Sequence, residues 1–373
     1  MKVALVHDHL AQAGGAEKVL QAICEMFPDA TIFTLLYEPE NVDKHFKNRR
    51  IRSSIIQRLP GGIKHYQWYM PFMPMAVEFF NLSTYDVVIS DASAFAKGVI
   101  TSTNTLHICY CHTPTRYLWD YTHQYIEELR YNKYFKKIIS LVLNYIRIWD
   151  KSAADRVDYF IANSKTIKSR IAKYYRRTSE VIYPPVDVDR FTVSEKPGEY
   201  FLIGGRLAPY KRVDIAVQAF KELGWPLKIF GDGVDLERLK EMAAGVDTIE
   251  FLGRVTEEEK AELYKNCKAF INPQEEDFGI TVVEAMACGR PVIAYNKGGA
   301  TETVIEGQTG LFFAEQTVAS LIACLKKFNS DSFSTETIRQ HAEKFSTEKF
   351  KHLMAETIQR EYERFKNGHE YLN

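Results

Sequence analysis

Six cysteines in 373 residues are too few and too scattered to staple a fold. Cys24, Cys109, Cys111, Cys267, Cys288 and Cys324 form no C-x-x-C pair, which excludes a zinc module or disulfide framework and suits a reducing cytoplasm. Cys109 and Cys111 flank one residue of an apolar run and are expected as buried thiols. The chain has no G-x-G-x-x-G and no G-x-x-x-x-G-K followed by Ser or Thr, which argues against a dinucleotide cofactor and a P-loop. Long hydrophobic runs are absent too. The longest, Ile138 to Trp149, is broken by Asn144 and Arg147 and falls short of the ~20 residues a membrane span needs. At the start, Lys2, His7 and Asp8 interrupt any signal-peptide pattern. The expectation is a chain that is soluble or lies on a membrane without crossing it.

Net charge is missing as well: 48 Lys and Arg face 48 Asp and Glu. Its distribution is uneven. Residues 1–182 hold 24 basic and 17 acidic side chains, so the first half carries +7 and the remainder −7. Two domains with different surroundings are implied, the first near something anionic.

What is present is a regular alternation of short apolar runs and helical patterns, the signature of parallel sheets covered on both faces. In the first half, strands are predicted at 2–7, 31–37, 86–90, 106–112 and 159–162, with helices at 16–27 and 125–157. In the second half, strands at 200–204, 227–230, 248–252, 269–272 and 291–294 alternate with helices at 211–223, 234–244, 257–266 and 280–288. Helices near 318–327, 335–344 and 347–365 follow. Tyr183-Pro184-Pro185-Val186-Asp187-Val188-Asp189 reads as an extended linker, because consecutive prolines fix φ and remove donors. The fold class is α/β: two doubly wound Rossmann-like domains, 1–182 and 192–346, facing across a cleft and joined by 183–191. Ligands of such sheets sit beyond the carboxyl ends of the strands.

Candidate chemistry collects at those ends. Gly14-Gly15 stands between the first strand and the first helix, where bare backbone admits a ligand to the helix N–H groups. Gly205-Arg206-Leu207 and Lys211 place two cations at another strand-to-helix turn, a combination that holds a diphosphate without a metal. Glu276 and Glu284 lie eight residues apart across a further turn, and Glu284 is expected on the ligand side of its helix. Paired carboxylates accept hydrogen bonds from sugar and ribose hydroxyls, or serve glycoside hydrolysis. His112 closes an apolar strand before Thr113-Pro114 and reads as a cleft residue or a structural histidine. His7-Asp8-His9 invites a metal but lacks a third ligand at useful spacing, so no metal is expected.

Taken together, Gly14-Gly15, Cys111-His112-Thr113-Pro114, Gly205-Arg206-Leu207 with Lys211, and Glu276-x7-Glu284 running on to Gly289 and Gly298-Gly299 resemble the retaining glycosyltransferases of family 4. The resemblance extends over essentially the full length and implies their two-domain fold, GT-B. Val6-His7-Asp8-His9 and Cys111 to Arg116 look like bacterial O-antigen and exopolysaccharide mannosyltransferases that use GDP-mannose. Asp277 and Asn272-Pro273 depart from the usual pattern beside the donor pocket.

The resemblance implies that Arg206 and Lys211 grip the donor diphosphate, Glu284 the ribose, Glu276 the donor-sugar hydroxyls, and His112 the sugar. Backbone at Phe278, Gly279, Ile280 and at Gly14, Gly15 and Gly205 completes the site, and Arg254 with Val255 lies against the base. The implied reaction retains configuration, needs no cofactor and no metal, and delivers a hexose to a glycan or polyprenyl-linked acceptor, with no part for nucleic acid. A nucleotide-sugar 2-epimerase of the same fold and a non-catalytic sugar-nucleotide-binding subunit are the alternatives. The helix at about 347–373 is expected to pack back on the first domain. Seven basic and no acidic residues between Lys44 and Lys64, and Lys133, Lys136 and Lys137 among apolar neighbours, suggest an anionic membrane surface as partner, at the inner face of the cytoplasmic membrane; the alternative for the second segment is a core helix.

Overall fold

The computed structural model describes residues 1–368 apart from 12, 13, 43, 130, 195 and 197. The chain divides into two compact units, Met1–Tyr183 with Phe350–Asn373, and Pro184–Lys349. Residues 369–373, part of the expected terminal helix segment, lie outside the described residues.

Unit 1 is built on β1 (Val3–Leu10), β2 (Thr31–Tyr37), β3 (Ile51–Ser53), β4 (Val87–Ala92), β5 (Leu106–Cys111), β6 (Tyr159–Ala162) and β7 (Glu180–Val181). They form one parallel sheet in the order β3-β2-β1-β4-β5-β6-β7. The strands are apolar almost throughout because both faces are covered. Alternate residues serve opposite sides. Val6, Phe33, Val88 and Cys109 meet α2 (Met73–Glu78), α4 (Lys133–Asp155) and α5 (Lys165–Tyr174), whereas Leu5, Ile32, Ile89 and Ile108 meet α1 (Gly15–Met26). A short α3 (Thr122–Glu128) precedes α4. The single helix predicted over 125–157 is thus two. The Asn132 side chain accepts the N–H groups of Tyr134 and Phe135 at 3.0 and 3.1 Å and caps a new start.

Unit 2 contains β8 (Phe201–Gly204), β9 (Leu227–Phe230), β10 (Ile249–Gly253), β11 (Ala269–Asn272), β12 (Val292–Tyr295) and β13 (Gly310–Phe313), parallel in the order β10-β9-β8-β11-β12-β13. Its helices are α6 (Val213–Leu223), α7 (Leu236–Met242), α8 (Glu257–Asn266), α9 (Ile280–Ala287), α10 (Ala300–Thr303), α11 (Val318–Lys327) and α12 (Thr335–Ala342). Residues 184–191, predicted as a linker, belong to this unit. Val186 N donates to Phe345 O at 3.0 Å and Phe191 packs edge-on to Tyr264, so the apolar side chains outweigh the two prolines. The last helix, α13 (Thr347–Lys366), returns to unit 1, where Phe350, Met354 and Ile358, four residues apart, complete the layer over Leu5 and Ile89. Strands β3, β7 and β13, each at a sheet edge, were not predicted.

All six cysteines are buried and unbonded. Burial pushes the Cys24 and Cys288 thiols up to about 12, which removes them from chemistry at neutral pH.

Two buried charge networks organise unit 1. The Asp8 carboxylate accepts the N–H groups of Ser93, Ala94, Phe95 and Ala96 at 2.6 to 2.8 Å, closing the turn after β4. Asp8 therefore caps a turn on the face opposite His7, and the His-Asp-His run is no shared ligand set. Lys97 Nζ meets Asp150 of α4 at 2.5 Å, and Asp150 also accepts Trp119 Nε1, the Tyr175 hydroxyl and the Thr115 hydroxyl at 2.8, 2.8 and 3.1 Å. This network ties the loop after β5 to two helices. Asp150→Ala strands a buried ammonium and is expected to cost about 3–5 kcal/mol. Urea unfolding of the variant checks it; a loss under 1 kcal/mol would mean that Lys97 finds other partners.

Candidate active site

In unit 2 the carboxyl ends of β8 and β11 and the start of α9 enclose a pocket of about 100 Å³. Gly205, Arg206, Lys211, Gln274, Glu276 and Thr281 line it. The chain reaches this arrangement through local backbone constraints. Gly231, at φ 111°, lies against the carbonyl of Gly205, and a Cβ there would overlap it. The predicted helix start at Lys211 is instead a 3-10 turn, Pro209–Lys211, and α6 begins at Val213. Between them Arg212 takes a left-handed φ of 54°, uncommon for a side-chain-bearing residue, and bonds to Asp214 and Gln316. That kink faces Lys211 towards Glu276, with which it forms an ion pair. Gly279, at φ 89°, turns the chain from the Glu276 loop into α9. The first N–H groups of α9 have no partner within the helix and present positive potential there. Gly299 N donates to Glu276 O at 2.7 Å and packs against the backbone of Phe278, which steadies the loop from behind.

The pocket unites Gly205, Arg206, Lys211 and Glu276, with Gly279 and Ile280 in the turn behind Glu276 and Thr281. Phe278 is buried against Phe345. Arg254, predicted beside the base with Val255, pairs with Asp232 at 2.9 Å beyond β10 and is not among the lining residues. Glu284 departs from expectation. It is 2% exposed and accepts Lys260 Nζ and the Tyr264 hydroxyl of α8, each at 3.2 Å. One turn into α9, its direction is set by the packing of α9 on α8 rather than by the pocket. Lys260 and Tyr264, one turn apart, went unnoticed in the sequence, as did Gln274 and the Thr281 hydroxyl, which is buried without a partner.

Unit 1 carries its own polar cluster. His7, Asp91 and His112 follow Leu5, Ile89 and Tyr110 at two-residue spacing, so strand parity puts them on the α1 face. His7 Nδ1 lies 2.8 Å from Asp91 Oδ2, and His112 Nε2 lies 2.6 Å from Asp91 Oδ1. Glu17, one turn into α1, stands 3.8 Å from His7 Nε2, and its second oxygen is buried without a partner. A Cβ on Gly14 would come within 2.8 Å of that oxygen, so the glycine keeps the position open. Burial works to lower His7, but its bonds to Asp91 and Glu17 and their charge outweigh it and raise the imidazole to about 10. Burial works to raise Asp91, but the charge and hydrogen bonds of His112 and His7 hold it below the ordinary carboxylate value. Asp91 escaped prediction because the strand was expected to end at Ser90. The signal was a lone acid in an apolar run.

Residues 13–190 match the family model described as Glycosyltransferase Family 4, and residues 187–346 the model described as Glycosyl transferases group 1. The chain belongs to the GT-B glycosyltransferases composed of these two modules. It is 24% identical to the alpha-1,3/1,6-mannosyltransferase ALG2 of Dictyostelium discoideum, over 94% of each chain. An uncharacterised glycosyltransferase of Methanocaldococcus jannaschii is 30% identical over 54% of this chain, a match that spans 58% of that relative's length. Among solved structures, Anabaena HepE in complex with UDP superposes with a TM-score of 0.70 at 18% identity, covering 96% of this chain and all of the other. The sucrose-phosphate synthase of Thermosynechococcus elongatus gives 0.74 at 16%, covering 97% and 99%. Those structural likenesses carry the fold.

The raised His7 has a consequence for stability. A group at 6.5 when unfolded and about 10 when folded contributes most below pH 6.5, and the contribution is lost as pH rises towards 10. Urea midpoints of the wild type should fall across that window, and His7→Asn should flatten the slope. An unchanged slope would place the proton elsewhere.

Proposed function

We propose that this chain transfers a hexose, with retention of configuration, from a nucleotide diphosphate sugar to a glycan or polyprenyl-linked acceptor at the inner face of the cytoplasmic membrane. The observation that carries the reading is the unit 2 pocket, where Arg206, Lys211 and the start of α9 converge on Glu276 and an unpartnered Thr281 hydroxyl. Without ligand, Lys211 and Glu276 neutralise each other. A donor supplies a substitute for each partner, a diphosphate for the cation and sugar hydroxyls for the carboxylate, so it binds by exchanging one ion pair for two charge-assisted sets. Departure of the diphosphate is then stabilised by Arg206, Lys211 and the α9 dipole, and its oxygen accepts the acceptor's proton. No metal is required in this scheme. His112, held by Asp91 through Nε2, contacts the sugar during transfer. A GDP-hexose, GDP-mannose first, is the proposed donor; the mannosyltransferase relative supports the sugar, and complexes of a structural neighbour with UDP support the nucleoside diphosphate class.

Thermal shift against GDP, UDP, ADP and dTDP sugars tests the donor, since a ligand at 100 times its Kd adds about 2.7 kcal/mol. A response to UDP sugars with none to GDP would overturn the GDP reading. Transfer should survive EDTA, and strict dependence on Mg²⁺ or Mn²⁺ would refute the metal-free scheme.

Substitutions separate binding from chemistry. Lys211→Ala should weaken nucleotide binding about 10- to 100-fold, the worth of a charged hydrogen bond. His112→Ala should leave that affinity unchanged and slow transfer about 100-fold. Normal turnover in the His112 variant would make it structural. Glu284→Gln tests the ribose role, which requires loss of nucleotide affinity while the melting temperature without ligand stays within a few degrees.

A further inference from the structure

The helix α4 has two apolar faces, and only one of them is used by the fold. Leu143, Ile146, Ala153 and Ala154 point into unit 1 and are buried. Tyr134, Ile138, Leu141, Tyr145 and Ile148 recur every three or four residues on the outside, and with Phe135 they are 54% to 71% exposed. At 100° per residue the five fall within an arc of about 80°. Lys133 and Lys137 lie on one flank of that arc, Lys136 lies on the far side and donates to Glu127 O at 2.8 Å, and no acidic side chain occurs from 131 to 149. The segment at 66–78 belongs to the same outer layer: its Tyr66, Tyr69 and Met70 pack on the core cluster that also receives Ile139, Val142 and Trp149 of α4. Glu78 joins the two elements by accepting Trp149 Nε1 and Arg156 at 2.8 Å. That layer exposes Trp68, Phe72, Met75 and Phe79 as well.

We infer that the outer face of α4 is a docking surface for an anionic lipid leaflet, in which Tyr134, Ile138, Leu141, Tyr145 and Ile148 enter the headgroup–acyl boundary and Lys133 and Lys137 meet the lipid phosphates. Charge selects this occupant. A second copy of the helix laid along the stripe would bring lysines with no carboxylates opposite them, whereas a paired helix seam is flanked by opposite charges. A row of aliphatic side chains with tyrosines and lysines at its border fits an interfacial helix. Arg49, Arg50 and Arg52 of the basic run at 44–64 are not part of this face. Arg49 is tied to Pro28 O at 2.6 Å, and Arg50 and Arg52 line a groove of about 800 Å³ at the amino ends of the strands, beside Asp29 and Asp86. The inference stands on this surface and is independent of which donor the pocket takes.

Vesicle flotation of the full chain tests it, using phosphatidylcholine with and without phosphatidylglycerol. Wild type should float with the anionic vesicles at low salt and be released by high salt. Ile138→Ser/Leu141→Ser/Ile148→Ser and, separately, Lys133→Glu/Lys137→Glu should each lower the bound fraction at least about tenfold, with melting temperature and nucleotide binding unchanged. Both lysines are exposed, so their variant remains informative if the triple variant misfolds. Wild type that stays unbound, or lysine variants that bind equally, would overturn the inference. A wild-type dimer by light scattering that the triple variant converts to monomer, without vesicle binding, would assign the face to a second copy instead.

Discussion

A parallel strand covered on both faces has no room for polar side chains except where a partner waits or where the strand ends. That constraint shapes both units. Within the strands of unit 1, Ser90 pairs with His107 at 2.8 Å and His7 with Asp91, while His9 Nε2, near the end of β1, and His107 Nδ1 are buried without a hydrogen-bond partner. The groups free to meet ligands are pushed to the carboxyl ends, where each strand hands over to a helix through Gly14-Gly15, Gly204-Gly205 or Phe278-Gly279. The polar cluster at the strand ends of each unit is a by-product of burying its sheet.

The same economy governs the charges. Lys97 with Asp150, Lys260 with Glu284, and Lys211 with Glu276 are compensated pairs, and they differ in where they stand. The first two are buried among helices. The third opens onto a pocket, so its partners can be exchanged for a ligand's. A buried pair is weak evidence for stability, and location separates the structural pairs from the one suited to binding.

Strand–helix alternation in the sequence carried the α/β class, most strand positions in both sheets and the terminal helix, because doubly covered strands leave dense apolar runs. The elements it missed are short edge strands with two to four residues, the helices α2, α5 and α10, and the break before α4, where one asparagine cap outweighs a continuing periodicity. Among site residues, Arg206, Lys211 and Glu276 were legible as charges beside glycine turns. Asp91, Glu17, Lys260 and Tyr264 were not, since each is an ordinary residue until its partner arrives from a distant segment.

By itself the amino-acid sequence determined the two sheets, the glycine turns at their strand ends and the family resemblance, all of which depend on local pattern. Tertiary structure alone decided the directions of side chains. Glu284 serves α8 because α9 packs there, Asp8 and His7 part to opposite faces because strand residues alternate, and α4 keeps a second apolar stripe outside because the core has room for only one. Spacing along the chain defines which face a residue occupies; what lies against that face is a property of the assembled fold.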